Sequence, residues 1–287
     1  MTTRLRCAIN SATTLLADAG IDSARYDAEE LAAHLAGTQR GRLAVIDTPD
    51  DTFFDRYHAA IAARSRRVPL QHLTGTAAFG PLTLSVGSGV FIPRPETEAL
   101  LEWATAQRLP APPLIVDVCT GSGALALALA QHWPSARVLG IDDSAAALDY
   151  ARRNSAGTTV ELLCADATDP GLLVEFDGQV DLLVANPPYV PDDAQLEPEV
   201  FHHDPSHAVF GGPDGMAVIA GVIRLAGRWL RSGGLFAVEH DETTSSETVE
   251  LVRGTGLFVD IVARQDLTGR PRFVTARRRG ADEERRE

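Results

Sequence analysis

The chain reads as an α/β protein, with a small helical bundle ahead of a mostly parallel sheet covered by helices on both faces. Three observations predict this. Over the first eighty residues apolar positions recur at three- and four-residue steps, the spacing of amphipathic helices. From Leu114 onward, short apolar runs alternate with helical stretches, as strands buried on both faces do. Four polar residues, Asp117, Asp142, Asp166 and Asn186, lie at the ends of such runs with separations of 25, 24 and 20 residues, about one strand–helix unit each.

In the N-terminal part, Leu5, Ala8, Ile9, Ala12, Leu15 and Leu16 form one stripe, closed by Gly20. Ala28, Leu31, Ala32 and Leu35 form a second before Gly37. Asp50 or Asp51 can cap a third helix with Phe53, Phe54, Tyr57, Ala60 and Ile61 on one face. Val68-Pro69 is expected to end the bundle. Phe79 to Val90 alternates in the manner of strands, broken by Gly80-Pro81 and Gly87, and predicts a hairpin connector. A helix over 96–107 follows, and the Pro-rich stretch at 109–113 opens the sheet domain. Strands are predicted at Leu114–Val118, Val138–Ile141, Val160–Cys164, Leu182–Ala185, Leu235–Val238, Phe258–Val262 and Phe273–Ala276. The charged tail lacks apolar residues and is expected to be solvated. The domain reading is therefore 1–75, a 76–108 connector, 109–278 and a 279–287 tail.

Composition excludes several classes. The 287 residues include 45% hydrophobic and 23% charged, as in soluble globular proteins. No apolar leader opens the chain and no run approaches the ~18 residues of a membrane span, so a cytoplasmic protein is expected. Cys7, Cys119 and Cys164 fit neither a disulfide framework nor a zinc pattern. The net charge of −13 lies wholly in residues 81–287, where 30 acidic residues face 17 arginines. Such a balance argues against direct nucleic-acid binding. His202, His203 and His207 lack a second ligand set, and no metal is expected.

In open α/β sheets ligands bind at the carboxyl ends of the strands. Asp117-Val-Cys119-Thr120-Gly121-Ser122-Gly123 leads from the first such strand into a helix, and its glycines permit a sharp turn and close approach to a ligand. A Gly-x-Gly alone also suits a nicotinamide nucleotide, with Ala126 in the third position and Asp142 downstream. Asp117, however, sets a carboxylate where a pyrophosphate would lie. A phosphate-free, positively charged sulfonium cofactor, S-adenosylmethionine, suits that carboxylate better. Asp142 is then placed to accept from ribose hydroxyls and Asp166 from an adenine amino group.

Asn186-Pro187-Pro188-Tyr189 is the sharper signal. A following proline pushes Asn186 and Pro187 into extended backbone, and neither proline has an N–H. The Asn side-chain oxygen and a proline carbonyl make a rigid pair of acceptors for an –NH2 group, with Tyr189 offering a flat ring beside it. An amide nitrogen is a poor nucleophile, because its lone pair is delocalised into the carbonyl. Accepting both its N–H bonds returns electron density and aims it at a methyl donor. These residues leave amide and nucleobase amines equally open. A third possibility is a non-catalytic module that binds a partner through its helices.

The sequence resembles the peptide chain release factor glutamine methyltransferases of the HemK type. The resemblance runs through Phe91-Ile-Pro-Arg94-Pro-Glu-Thr97-Glu98, the 117–123 loop, Asn186–Tyr189, Gly211–Gly215 and Asp266–Arg270. It implies a seven-stranded, Rossmann-like class I methyltransferase sheet whose last strand pairs antiparallel. It also implies transfer to the amide nitrogen of the glutamine in a Gly-Gly-Gln release-factor loop, with residues 1–75 recognising the release factor. Asn186 and Pro187 would hold the amide, and Pro188 and Tyr189 would complete the slot. Asp117, Cys119, Thr120, Gly121, Ser122, Gly123, Asp142, Asp166, Ala167 and Asn186 would surround the cofactor, with Phe91, Arg94 and Thr97 closing over it. Cys119 stands where glycine is frequent, Asp241 where glycine is common and Pro271 where an acid is usual.

Overall fold

The computed structural model describes residues 2–280. The chain divides into two compact units, Met1–Thr76 with Leu196–His203, and Ala77–Gln195 with Asp204–Glu287.

The first unit contains α1 (Thr3–Asp18), α2 (Ala24–Leu35), α3 (Asp51–Ser65) and a short α4 (Leu70–Thr74). Thr2 and Asp50 accept from backbone N–H groups three residues on, capping α1 and α3. The stripes meet as predicted around Leu5, Ile9, Leu16, Leu31, Phe54, Tyr57 and Ile61. Leu15 is the exception at 46% exposure, because its neighbour Leu16 takes the core-facing position. The bundle does not stop at Val68-Pro69: Pro69 precedes α4, where its fixed φ favours helix entry. A buried ion pair lies beneath, Arg64 Nε donating to Asp27 Oδ2 at 2.6 Å. Arg64 also donates to Glu199 Oε1 at 2.9 Å, a residue 135 positions later in sequence.

Next come β1 (Thr76–Phe79) and β2 (Leu82–Ser85), which pair with each other on either side of Gly80-Pro81. A 3-10 turn at Pro95–Thr97 leads into α5 (Glu98–Thr105), shorter than the helix expected over 96–107. Then follow β3 (Leu114–Val118), α6 (Ala124–His132), β4 (Arg137–Asp142), α7 (Ala145–Asn154), β5 (Glu161–Cys164) and β6 (Val180–Ala185). The short α8 (Pro198–His203) belongs to the first unit. The chain continues through α9 (Ala217–Trp229), β7 (Leu230–Glu239), α10 (Ser245–Gly254), β8 (Phe258–Gln265) and β9 (Pro271–Arg278).

The seven strands are ordered β5-β4-β3-β6-β7-β9-β8, and β9 runs antiparallel to both neighbours. Two apolar clusters cover the two faces, one around Ile219, Trp229 and Phe236, the other around Leu100, Leu125 and Phe273. All seven expected strands form. β7 begins five residues early, because Arg231-Ser-Gly-Gly234 reads as a turn in sequence but is accommodated as an irregularity in the ladder to β6. β8 and β9 also overrun their apolar centres, since an antiparallel pair can carry charged residues on its open side. Of the predicted tail, 281–287 lies outside the described residues, while the Arg279 N–H bonds Leu257 O at 2.9 Å. No helix among the described residues is long and apolar enough to cross a membrane.

Candidate active site

The strand order reverses between β3 and β6, and the carboxyl ends of β3, β4, β5 and β6 bring most of the predicted residues to one edge of the sheet. At the first of these ends, Asp117 is 1% exposed and braces the loop from below. Its Oδ2 accepts from Thr120 Oγ1 at 2.6 Å and from the Ala126 N–H at 3.0 Å, supplying an acceptor to the open N-terminus of α6. Its Oδ1 is buried with no hydrogen-bond partner among the described residues. Burial pushes the Asp117 carboxyl up to about 7.

Above it, Cys119, Gly121 and Gly123 have φ of 59°, 56° and 86°. That conformation explains why glycine suits position 119. Burial holds the Cys119 thiol well above its ordinary range, so it stays protonated. A β-carbon on Gly121 would meet nothing within 4 Å, so the loop presents bare backbone to open space. The Gly121 N–H donates to Asp142 Oδ2 at 2.8 Å, and the Ser144 N–H to Asp142 Oδ1 at 3.0 Å. Ser122 is buried, its carbonyl held by Asn154 Nδ2 at 3.0 Å.

At the end of β5, Asp166 is exposed, and its Oδ1 takes both the N–H and the hydroxyl of Thr168, which lowers its pKa. Ala167 packs into the core at 9% exposure. Arg94 lies 4.7 Å over the Phe91 ring and pairs with the buried Asp204, a partner that sequence reading missed.

Asn186 follows directly on β6, and its Nδ2 donates to Thr97 Oγ1 at 3.1 Å. Thr97 in turn donates to Glu239 Oε2 at 2.8 Å, and the Tyr189 hydroxyl donates to Glu239 Oε1 at 3.0 Å. Four residues from two strand ends and the turn before α5 thus form one connected set. Glu239, 1% exposed, is its hub. Sequence reading gave Glu239 no role, although it is a carboxylate closing the apolar run Leu235–Val238. Burial pushes its carboxyl up to about 7, against the hydrogen bonds from Thr97 and Tyr189 and the positive charge of Arg272. Burial also raises the Tyr189 phenol, with the Glu239 charge adding to it. Arg272 is itself paired with Asp266 at 3.4 Å, and Asp266 Oδ1 gathers the N–H groups of Thr268 and Arg270. The Asp266–Arg270 turn therefore orients the arginine that faces Tyr189 and Glu239.

The Gly211–Gly215 loop supports this set from outside. A β-carbon on Gly211 would lie 2.5 Å from Pro188 O, and one on Gly215 2.2 Å from Tyr189 O. Backbone bonds from Val190 N to Val209 O (3.0 Å) and from Gly211 N to Val190 O (2.9 Å) fasten the same stretch.

A parallel sheet with one antiparallel strand, carrying a glycine loop after β3 and an Asn-Pro-Pro-Tyr turn after β6, is the architecture of class I methyltransferases, and a family model for a methyltransferase domain matches residues 115–200. A second model, the PrmC N-terminal domain, matches residues 8–75. A release factor glutamine methyltransferase from Mycobacterium tuberculosis is 70% identical over 96% of this chain and 92% of that protein. The chain belongs to the release factor glutamine methyltransferase family. A more distant relative, from Streptomyces pristinaespiralis, is named as a 4-amino-L-phenylalanine/4-methylamino-L-phenylalanine methyltransferase; it is 39% identical over 87% of each chain. Among solved structures, a ribosomal protein L11 methylase from Lactobacillus delbrueckii subsp. bulgaricus aligns with 68% of this chain and 84% of that one, at 19% identity and a TM-score of 0.48.

Proposed function

We propose that the protein methylates the side-chain amide nitrogen (N5) of the glutamine in the Gly-Gly-Gln loop of peptide chain release factors, using S-adenosylmethionine. The observation that carries the reading is the fixed Asn186 amide. Its Nδ2 is committed to Thr97, while its Oδ1 accepts no hydrogen bond among the described residues and is left for a substrate N–H.

The residues at the ends of β3 and β4 fit the cofactor. The orphaned Asp117 Oδ1 suits an amino group, the bare backbone at Gly121 admits close approach, and Asp142 suits ribose hydroxyls. Asp166, exposed at the end of β5, keeps an oxygen for an adenine amino group, and Cys119, Thr120, Ser122, Gly123 and Ala167 shape the surrounding wall. Phe91 and Arg94 supply a cover held by Asp204. When bound, the sulfonium group supplies an electrophilic methyl carbon beside the Asn186 slot.

Asn186 Oδ1 and the Pro187 carbonyl accept the two amide hydrogens, which draws electron density onto the nitrogen and orients its lone pair. The stiff Pro187-Pro188 backbone keeps both acceptors in place without rearrangement, and Tyr189 lines the slot. S-adenosylmethionine held by these residues would supply the methyl group and leave as S-adenosylhomocysteine, and the proton lost by the amide nitrogen would pass to solvent. Residues 1–75 would dock the body of the release factor, in the cytoplasm.

Mass spectrometry of release-factor peptides, after incubation with the protein and S-adenosylmethionine, tests the assignment. A single methyl on the Gly-Gly-Gln glutamine is expected, with full-length release factor a better substrate than a short peptide. Label on DNA, RNA or an aromatic amine, and none on release factor, would refute it. The Streptomyces relative makes the aromatic amine the comparison to run first.

A further inference from the structure

Glu239 touches neither of the two acceptors assigned to the substrate, yet it stands two hydrogen bonds from one of them. Its oxygens are taken by different hydroxyls, Thr97 on Oε2 at 2.8 Å and Tyr189 on Oε1 at 3.0 Å. An ionised carboxylate only accepts hydrogen bonds, so both hydroxyls must point their protons at it. A threonine hydroxyl has one proton. With that proton on Glu239, Thr97 Oγ1 has only lone pairs to offer Asn186, 3.1 Å away. The amide must therefore turn its NH2 toward Thr97 and its oxygen toward the open slot. The oxygen and nitrogen of an amide are nearly equal in size, so packing alone would accept either orientation. A flipped amide would set donor against donor at the substrate nitrogen.

We infer that Glu239 is a positioning residue that fixes the polarity of the Asn186 amide through Thr97, so that an oxygen and not an NH2 faces the substrate nitrogen. This rests on the reading of Asn186 as the amide clamp. The same carboxylate fixes the Tyr189 hydroxyl, so the first and last residues of the Asn-Pro-Pro-Tyr turn are referred to one buried group. Charged groups around it act in opposite directions. Arg272 of β9 favours the ionised, acceptor-only form, whereas Glu96 in the turn before α5 and burial itself oppose it. Burial sets the balance near neutrality, with the carboxyl at about 7.

The test is a double-mutant cycle in the full-length protein, with full-length release factor and S-adenosylmethionine. Glu239→Met removes the acceptor without leaving a buried charge, and Thr97→Val removes the relay. Each is expected to lower kcat about 100-fold, the effect of losing one oriented polar group in an active site. KM for the release factor and, in Glu239→Met, the Kd for S-adenosylmethionine should stay within about threefold, since both side chains are buried and act through Asn186 and Tyr189. In the Thr97→Val background, Glu239→Met should cost well under about 100-fold more, because the relay is already cut and only the bond to Tyr189 remains to be lost. Thr97→Ser, which keeps the hydroxyl, should restore kcat. The wild-type kcat should fall as pH drops below about 7, and in Glu239→Met that dependence should vanish.

A Glu239→Met enzyme with wild-type kcat, independent losses in the double mutant, or a Thr97→Ser as impaired as Thr97→Val would each overturn the inference. If Glu239→Met fails to fold, the Thr97 pair still decides. Failure of the underlying reading looks different. Asn186→Ala with full turnover, or a wild-type protein that leaves release factor unmodified, removes the clamp and this inference with it. An inactive Asn186→Ala beside a fully active Glu239→Met removes only the role of Glu239.

Discussion

Gly215 lies against the carbonyl of Tyr189 so closely that a β-carbon there would stand 2.2 Å from the oxygen, with the glycine itself at φ 75°. Both facts exclude a side chain. The backbone at the end of the Asn-Pro-Pro-Tyr turn is thus set by a glycine 26 positions downstream of Tyr189. Gly215→Ala is expected to displace Tyr189 and lower kcat at least 10-fold, with a stability loss of about 1–3 kcal/mol from the strained backbone. Thermal unfolding and steady-state kinetics measure both. A variant with wild-type turnover would show that the turn does not depend on this support.

Asn186→Ala tests the proposed clamp apart from the residues proposed to hold the cofactor. Cofactor affinity should change by less than about threefold while turnover falls by two to three orders of magnitude, as when an oriented polar group that acts in the transition state is lost. Calorimetric titration of S-adenosylmethionine and a methyl-transfer assay report the two halves. Loss of cofactor binding in parallel with turnover would assign Asn186 to the cofactor instead.

The pH dependence of stability follows from Glu239. Its carboxyl is raised from 4.5 to about 7 in the folded protein, mainly by burial. The folded state therefore holds the proton more tightly than the unfolded chain. Stability from this group is complete below about pH 4.5 and is lost as pH rises through about 7. At pH 8 the loss amounts to roughly 3 kcal/mol. Glu239→Gln should accordingly unfold at higher temperature than wild type at pH 8 and at nearly the same temperature at pH 4. Equal melting differences at both pH values would contradict the assignment.

In the helical unit, Arg64 is 4% exposed and bound to Asp27, itself 2% exposed. Arg64→Ala leaves Asp27 buried without its partner and should cost about 3–5 kcal/mol. The pair Asp27→Leu with Arg64→Met should recover most of that loss, because two apolar groups replace two charges. Denaturant unfolding of the three proteins tests the sequence of stabilities. A double variant no more stable than Arg64→Ala would mean that the ion pair contributes favourably on its own.

The sheet was legible because its strands are buried on both faces and end in polar residues one unit apart. Asp117, Asp142 and Asn186 could be found that way, since each sits where an apolar run stops. Glu239 obeys the same rule at the end of β7 but has no neighbouring motif, and its importance comes from Thr97 and Tyr189, 142 and 50 residues away in sequence. Asp204 was invisible for a similar reason, being a carboxylate in a polar loop whose partner, Arg94, lies 110 residues earlier. Local pattern located the elements, while the bonds between distant residues that complete the site required the folded chain. Leu15 and α4 show the limit on the apolar side, where a period of 3.6 defines a stripe but not which residue at its margin is covered.

The presence of Leu196–His203 in the helical unit has a consequence for synthesis and for chimeras. Arg64 acquires the Glu199 carboxylate only after the ribosome has added 135 further residues. The N-terminal helices emerge early, but their polar interior is finished by a segment made after most of the sheet strands. An exchange of N-terminal modules between relatives that cuts once near residue 76 would leave that interior half-supplied. The transplant that respects the architecture carries two pieces of chain.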